Sequence, residues 1–171
     1  MSERKGAVTF KGNPMTLEGD EVKVGQKAPD VQVVGTDLSA KSLSDYKGKV
    51  KLITSVPSLD TSVCDKETRT FNEKAATLGD DVVVLTVSMD LPMAQKRWCG
   101  AAGVDRVECL SDYKDHSFGK QWGLRIKELG LLARAVIVVD KDDTVQYVQL
   151  VKEVAEEPNY DEALAAAKKL V

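Results

Sequence analysis

The chain has 171 residues, 43% of them hydrophobic and 30% charged, with a formal net charge of −3 at pH 7. That size suits a single domain (1–171) that buries its own core without a disulfide or metal. The acidic balance lacks the basic footprint of a nucleic-acid binder. Leaving glycine aside, no apolar run exceeds five residues, which is too short for a membrane span. The polar start, Met1-Ser2-Glu3-Arg4-Lys5, lacks a signal-peptide core, so a cytoplasmic protein is expected.

In chain order, residues 1–20 read as a hairpin. Val8-Thr9-Phe10 and Met15-Thr16-Leu17 flank the turn formers Lys11-Gly12-Asn13-Pro14. Gly25 to Asp30 is a loop, Val31 to Val34 a short strand, and Leu43 to Lys49 a turn. Val50 to Val56 is a β-branched strand that ends at Pro57. A helix is expected from Thr61 to Leu78, because Cys64, Thr68, Phe71, Ala75 and Leu78 recur on one helical face. Gly79 ends it. Val82 to Val87 is a nearly continuous apolar run, as in a strand buried on both faces. A second helix starts near Pro92, a residue suited to a first turn, and is read to stop at Gly100. A strand at Val107 to Leu110 and a short helix at Ser117 to Trp122 follow. Ala133 to Val139 and Thr144 to Val151 make a second hairpin, and Tyr160 to Leu170 a final helix. This order predicts a three-layer α/β/α sandwich of the thioredoxin-like kind with an added N-terminal hairpin.

Several chemistries lose ground. His116 is the single histidine, and no Gly-x-Ser-x-Gly elbow accompanies it. Neither a Walker loop nor a Gly-x-Gly-x-x-Gly turn is present. The cysteines, at 64, 99 and 109, lack the short spacing of a zinc site. Cysteine chemistry remains.

Cys64 falls in the first turn of a helix behind a buried strand. Unpaired N–H groups and the partial positive charge of a helix start favour a thiolate, which is the nucleophilic form. Asp65 opposes this, so a cation from elsewhere in the fold is required. The competing reading is core packing, since Cys64 also lies on the apolar stripe. Arg134 interrupts an apolar stretch and reads either as a solvent-facing strand-entry residue or as a charge at a site. Thr61 is a natural helix N-cap, and Pro57 a strand terminator.

Pro57-Ser58-Leu59-Asp60-Thr61-Ser62-Val63-Cys64 matches the Pro-x-x-x-Thr-x-x-Cys motif of peroxiredoxins. Residues 10–17 and 25–30 resemble the N-terminal segment of the family's thiol peroxidase branch. Arg97-Trp98-Cys99-Gly100 is similar to that branch's resolving-cysteine segment, and Gly130 to Ala135 to the segment bearing its arginine. The resemblance implies a peroxidase that reduces hydrogen peroxide and organic hydroperoxides without a cofactor or metal. Cys64 would be the peroxidatic nucleophile, and Thr61 would bond the thiolate and the peroxide. Pro57 would shield the pocket, while Arg134 would favour the thiolate and orient the peroxide. Cys99 would resolve the sulfenic acid as a Cys64–Cys99 disulfide, recycled by thioredoxin in a homodimeric enzyme. Such a bond needs Cα atoms within about 7 Å, so oxidation is expected to unwind both segments partly. Cys109 receives no role beyond packing. Two alternatives remain open: a one-cysteine peroxidase resolved by an external thiol, and a redox-sensing module on the same fold. The assignment requires the Cys64 sulfur to be reachable and close to Arg134.

Overall fold

The structure is a computed structural model and describes residues 2–171. β1 (Glu3–Phe10) and β2 (Asn13–Glu18) pair antiparallel as the expected hairpin. Its turn residues Lys11 and Gly12 both have positive φ, 51° and 82°, which suits a two-residue primed turn. Pro14 lies in β2 opposite Thr9 and not in the turn. Strand β2 meets its other neighbour only at Leu17 and Glu18, so the missing N–H of Pro14 interrupts no ladder there.

β3 (Gln32–Gly35) and β4 (Ala40–Ser42) come next, then a 3-10 helix at Leu43–Tyr46 where a turn was expected. The centre of the chain alternates β5 (Val50–Ser55), α1 (Ser62–Ala75), β6 (Val82–Ser88), α2 (Pro92–Ala102) and β7 (Val107–Ser111). After α3 (Ser117–Gln121) come two short strands, β8 (Arg125–Ile126) and β9 (Leu131–Leu132). The chain closes with β10 (Ala135–Val139), β11 (Val145–Leu150) and α4 (Tyr160–Lys168). Strands β8 and β9 extend the N-terminal hairpin into a sheet ordered β1-β2-β8-β9. Two residues carry no periodicity, so neither strand is visible in the sequence pattern. Helix α2 runs past Gly100 to Ala102 and ends at Gly103, whose φ is 68°. Gly100 has open space around its Cα, so nothing forces a break there.

The main sheet has the order β11-β10-β5-β6-β7-β3-β4, with β5, β6 and β7 parallel. Alternation along the strands divides the core in two. Leu52, Val84, Val136 and Val138 face Phe71 of α1 and Leu164 of α4, with Trp98 of α2 packed alongside. Ile53, Leu85, Val87 and Ile137 face Phe118 of α3 and Trp122 on the opposite side. The result is the expected α/β/α sandwich, with α3, the 3-10 helix and irregular segments forming the thinner layer.

This topology places the chemistry. The carboxyl ends of β5 and β6 lie at one edge of the sheet, where ligands of parallel sheets commonly bind. Strand β10 runs antiparallel to β5, with Ala135 opposite Ser55. The start of β10 therefore returns to the edge from which α1 departs.

Gly19, with φ +95°, carries the small sheet against α3, and a Cβ there would overlap the Lys120 carbonyl oxygen. Gly12, with φ +82°, has nothing within 4 Å. Gly19→Ala is expected to lose about 1–3 kcal/mol more than Gly12→Ala in urea denaturation, since only it adds a backbone collision to the dihedral strain. Equal losses would show that the contact with α3 yields freely.

Candidate active site

Ser55 ends β5, and its hydroxyl donates to the Ala133 carbonyl at 2.7 Å, tying β5 to the segment before β10. Pro57 follows and is buried. Asp90, just beyond β6, fixes the next turn. Its carboxylate accepts from the Ser58 hydroxyl at 2.7 Å, the Leu59 N–H at 2.8 Å and the Ser88 hydroxyl at 2.8 Å. The approach to α1 is thus held by a side chain more than 30 positions away, which no local pattern could reveal.

Thr61 is the N-cap of α1, but its side chain makes no capping bond. Its hydroxyl donates instead to the Ser58 carbonyl at 2.9 Å. The bond implied between Thr61 and Cys64 is therefore not the one its proton makes. With no side-chain cap, the first-turn N–H groups of α1 are free of competition from an oxygen at 61.

Cys64 is fully buried, against Val56, Leu59 and Cys109, with Trp98 and Cys99 packed on the same cluster. A reachable sulfur was expected, and the structure encloses it, because the Pro57–Leu59 turn and α2 both pack over the start of α1. The sulfur is nonetheless in polar contact. Arg134 Nη2 donates to Cys64 Sγ at 3.2 Å, across 70 residues of chain. Arg134 is 2% exposed, so the solvent-facing reading of that residue does not hold.

The other two guanidinium nitrogens also donate. Nη1 donates to Glu67 Oε2 at 2.6 Å, and Nε to the Val154 carbonyl at 2.9 Å. Burial opposes the Arg134 charge, but Glu67 and Cys64 outweigh it and hold the guanidinium above its ordinary value. Glu67 lies one helical turn after Cys64 and has no exposed surface. Burial pushes its carboxyl up to about 7 against the pull of Arg134. Its second oxygen, Oε1, has no partner. Sequence reasoning missed Glu67. The available signal was a glutamate at i+3 from Cys64, beside an apolar stripe, in a chain with an arginine set in another apolar run.

Cys99 lies inside α2 and is half-buried. Its Sγ is 3.1 Å from Cys109 Sγ on β7, a pairing that the sequence did not suggest. This hydrogen bond and burial push the Cys109 thiol up, and the same bond holds the Cys99 thiol below its usual value. All three cysteines are free. Beside Cys99, Trp98 Nε1 donates to Asp65 Oδ2 at 3.3 Å. Asp65 is also paired with Arg69, whose guanidinium lies 5.7 Å from the Trp98 ring centroid. Arg69 reaches on to the Ala102 carbonyl at 3.3 Å. Asp65, expected to oppose the thiolate, is thus partly neutralised and serves as a tie between α1 and α2.

A titration follows from Glu67. Its folded value is raised from 4.5 to about 7, so the folded state binds its proton more tightly than the unfolded chain does. This contribution is complete below about pH 4.5 and is lost as pH rises through about 7. Urea denaturation across that range is expected to show the decline, and Glu67→Gln to remove it. A decline that survives the substitution would assign it to another group.

A family model described as Redoxin matches residues 23–164. The thiol peroxidase of Halalkalibacterium halodurans is 59% identical over 162 residues, covering 95% of this chain and 97% of that protein. The thiol peroxidase of Bacillus subtilis is 57% identical over 164 residues, covering 96% and 98%. The crystal structure of a peroxiredoxin-like protein from Aquifex aeolicus superposes with a TM-score of 0.91 at 46% identity, covering 97% of this chain and 98% of that one. Matched along nearly its whole length in sequence and in backbone, with a cysteine at a helix start under a buried arginine, this chain belongs to the redoxin family, in its thiol peroxidase branch.

Proposed function

We propose that in this thiol-dependent peroxidase Cys64 is the peroxidatic nucleophile, with Arg134 its principal electrostatic partner. The observation that carries the reading is the 3.2 Å contact between Arg134 Nη2 and Cys64 Sγ inside a site closed to water. The thiolate attacks one peroxide oxygen, and the O–O bond breaks toward the other. A fixed guanidinium stabilises the thiolate and the charge that moves to the leaving oxygen. Thr61 Oγ1 keeps its lone pairs while its proton is on Ser58, so it can accept the peroxide O–H and orient it. Pro57 excludes water from the pocket. The product is a sulfenic acid at Cys64 and water or an alcohol.

Cys99 then condenses with the sulfenic acid, releasing water and forming a Cys64–Cys99 disulfide. The lowered Cys99 thiol suits an attacking nucleophile. Helix α2 is the element fitted to move, because it buries only Pro92 and Gln95 of its own residues. Its tie to α1 consists of two contacts of partly exposed groups, the Trp98 indole on Asp65 and the Arg69 guanidinium on the Ala102 carbonyl, and the Asp65–Arg69 ion pair that backs them within α1 contributes only on the order of 0.2–1 kcal/mol. An external dithiol reduces the disulfide, and the family resemblance supports thioredoxin in that role. It also supports a homodimer and a cytoplasmic location. No helix among the described residues is long and apolar enough to cross a membrane.

One observation favours a second reading. The Cys99 sulfur faces Cys109 and not Cys64, as it would if an external thiol resolved the sulfenic acid. Cys99→Ser separates the two. The variant is expected to consume one peroxide per chain, to hold a dimedone-reactive Cys64, and to lose turnover with thioredoxin. Turnover at the parent rate would establish external resolution.

Arg134→Gln is expected to slow the second-order reaction of Cys64 with hydrogen peroxide by about 10²–10³-fold, the usual cost of deleting a charge-stabilising donor. The double variant Glu67→Gln/Arg134→Gln removes both buried charges together and should react equally slowly while folding. A fast double variant would show that the arginine is structural only. On oxidation, amide exchange is expected to accelerate in α2 and in the first turn of α1, with α2 changing more. Unchanged protection in both would refute the opening step.

A further inference from the structure

We propose that Cys109 is a third redox-active thiol, which takes Cys99 from the Cys64–Cys99 disulfide and frees Cys64 for a second peroxide. The inference rests on the reading in which Cys99 resolves Cys64. The sulfurs of Cys99 and Cys109 are already 3.1 Å apart with α2 fully folded. A disulfide at about 2.05 Å requires them to close by only about 1 Å. Cys64 Sγ, by contrast, accepts from Arg134, and the proposed resolution step has α2 open to bring Cys99 to it. The three residues nevertheless share one packed cluster, with Val56, Leu59 and Trp98 around them. The two possible partners of Cys99 thus lie beneath the same helix, one matched to its open form and one to its closed form.

The exchange balances. The Cys109 thiol loses its proton to solvent, and its thiolate attacks the Cys99 sulfur. The Cys64–Cys99 bond breaks, the Cys99–Cys109 bond forms, and Cys64 leaves as a thiolate with no net change in oxidation state. Two features of the structure favour that direction. Arg134 Nη2, 3.2 Å from Cys64 Sγ, stabilises the departing thiolate. The folded form of α2 is recovered, because Cys99 on that helix stands over Cys109 on β7. A route for the proton is also present. Cys99 and Cys109 both line an open cavity of about 610 Å³ whose lining also includes Lys96, Arg106 and Glu108. Burial in β7 favours the protonated Cys109 thiol, so the exchange should be slower than resolution and accelerate with pH. The second oxidised form leaves Cys64 reduced beneath Arg134, and each chain accepts two peroxides before it needs an external reductant.

Wild-type protein is treated with one equivalent of hydrogen peroxide, quenched with N-ethylmaleimide at increasing times, and mapped by non-reducing peptide mass spectrometry. The Cys64–Cys99 peptide is expected first, giving way to Cys99–Cys109 with alkylated Cys64. The exchange should quicken by roughly tenfold per pH unit, since the thiolate attacks. Peroxide consumption should approach two equivalents per chain in the wild type and stay at one in Cys109→Ser. A Cys64–Cys99 peptide that persists with Cys109 as the only alkylated cysteine would overturn the proposal. So would a Cys99–Cys109 bond forming equally fast in Cys64→Ser, because it would arise without the relay. If Cys109→Ser forms no Cys64–Cys99 bond and carries only a sulfenic acid at Cys64, the resolving role of Cys99 fails first, and that result is distinct from the other two.

Discussion

A guanidinium sealed from water needs its donors engaged, and Arg134 engages a thiol, a carboxylate and a backbone carbonyl at once. Removing one partner of such a group leaves a buried charge uncompensated, at a cost of roughly 3–5 kcal/mol. Much else in the site follows from this requirement. Glu67 on α1 must face inward beside Cys64. Val154 must turn its carbonyl toward the same point, which directs the chain between β11 and α4 across the start of β10. The pair on α1 and the single arginine ahead of β10 thereby bind the crossover helix to the sheet at the candidate site. Glu67 holds a middle position. Charged, it shares Arg134 with the sulfur; protonated, it leaves more of that cation to the thiolate.

The sheet supplies the precision. Strands β5 and β10 are joined by a full register of paired residues, and Ser55 adds a side-chain bond to Ala133. Asp90 clamps the turn between β5 and α1 from the neighbouring strand. Cys64 is therefore held from both sides by the sheet and its connecting turn, whereas Cys99 is carried by a helix that buries only two residues, Pro92 and Gln95. In the proposed cycle a firmly anchored cysteine is met by one on a lightly buried helix, with the larger movement in α2.

Elements with long periodic patterns were legible in the sequence: the five-point stripe of α1, the apolar runs of β6 and β10, and the hairpin at residues 1–20. The place of Cys64 in the first turn of α1 was legible too, because Pro57 and the apolar stripe mark where that helix begins. Arg134 stood out as a charge in an apolar run, although only the fold could choose its direction. What escaped was non-local or too brief. Strands β8 and β9 are two residues each. The contact between Cys99 and Cys109 depends on how α2 lies over β7, and the clamp by Asp90 on a neighbouring strand end. The end of α2 was misplaced at Gly100 because a glycine signals a stop only where the backbone turns left-handed, which occurs at Gly103.

The tie between Trp98, Asp65 and Arg69 lies on the surface. Its strength governs a race. In the proposed cycle a sulfenic acid at Cys64 waits beside any further oxidant while α2 stays closed, and a second hit would carry it to the sulfinic acid, which ordinary thiols do not repair. A firmer tie lengthens the wait and a looser one shortens it. If Cys99 resolves Cys64 as proposed, the strength of the hold between α1 and α2 sets the concentration of oxidant at which the sulfur of Cys64 is lost.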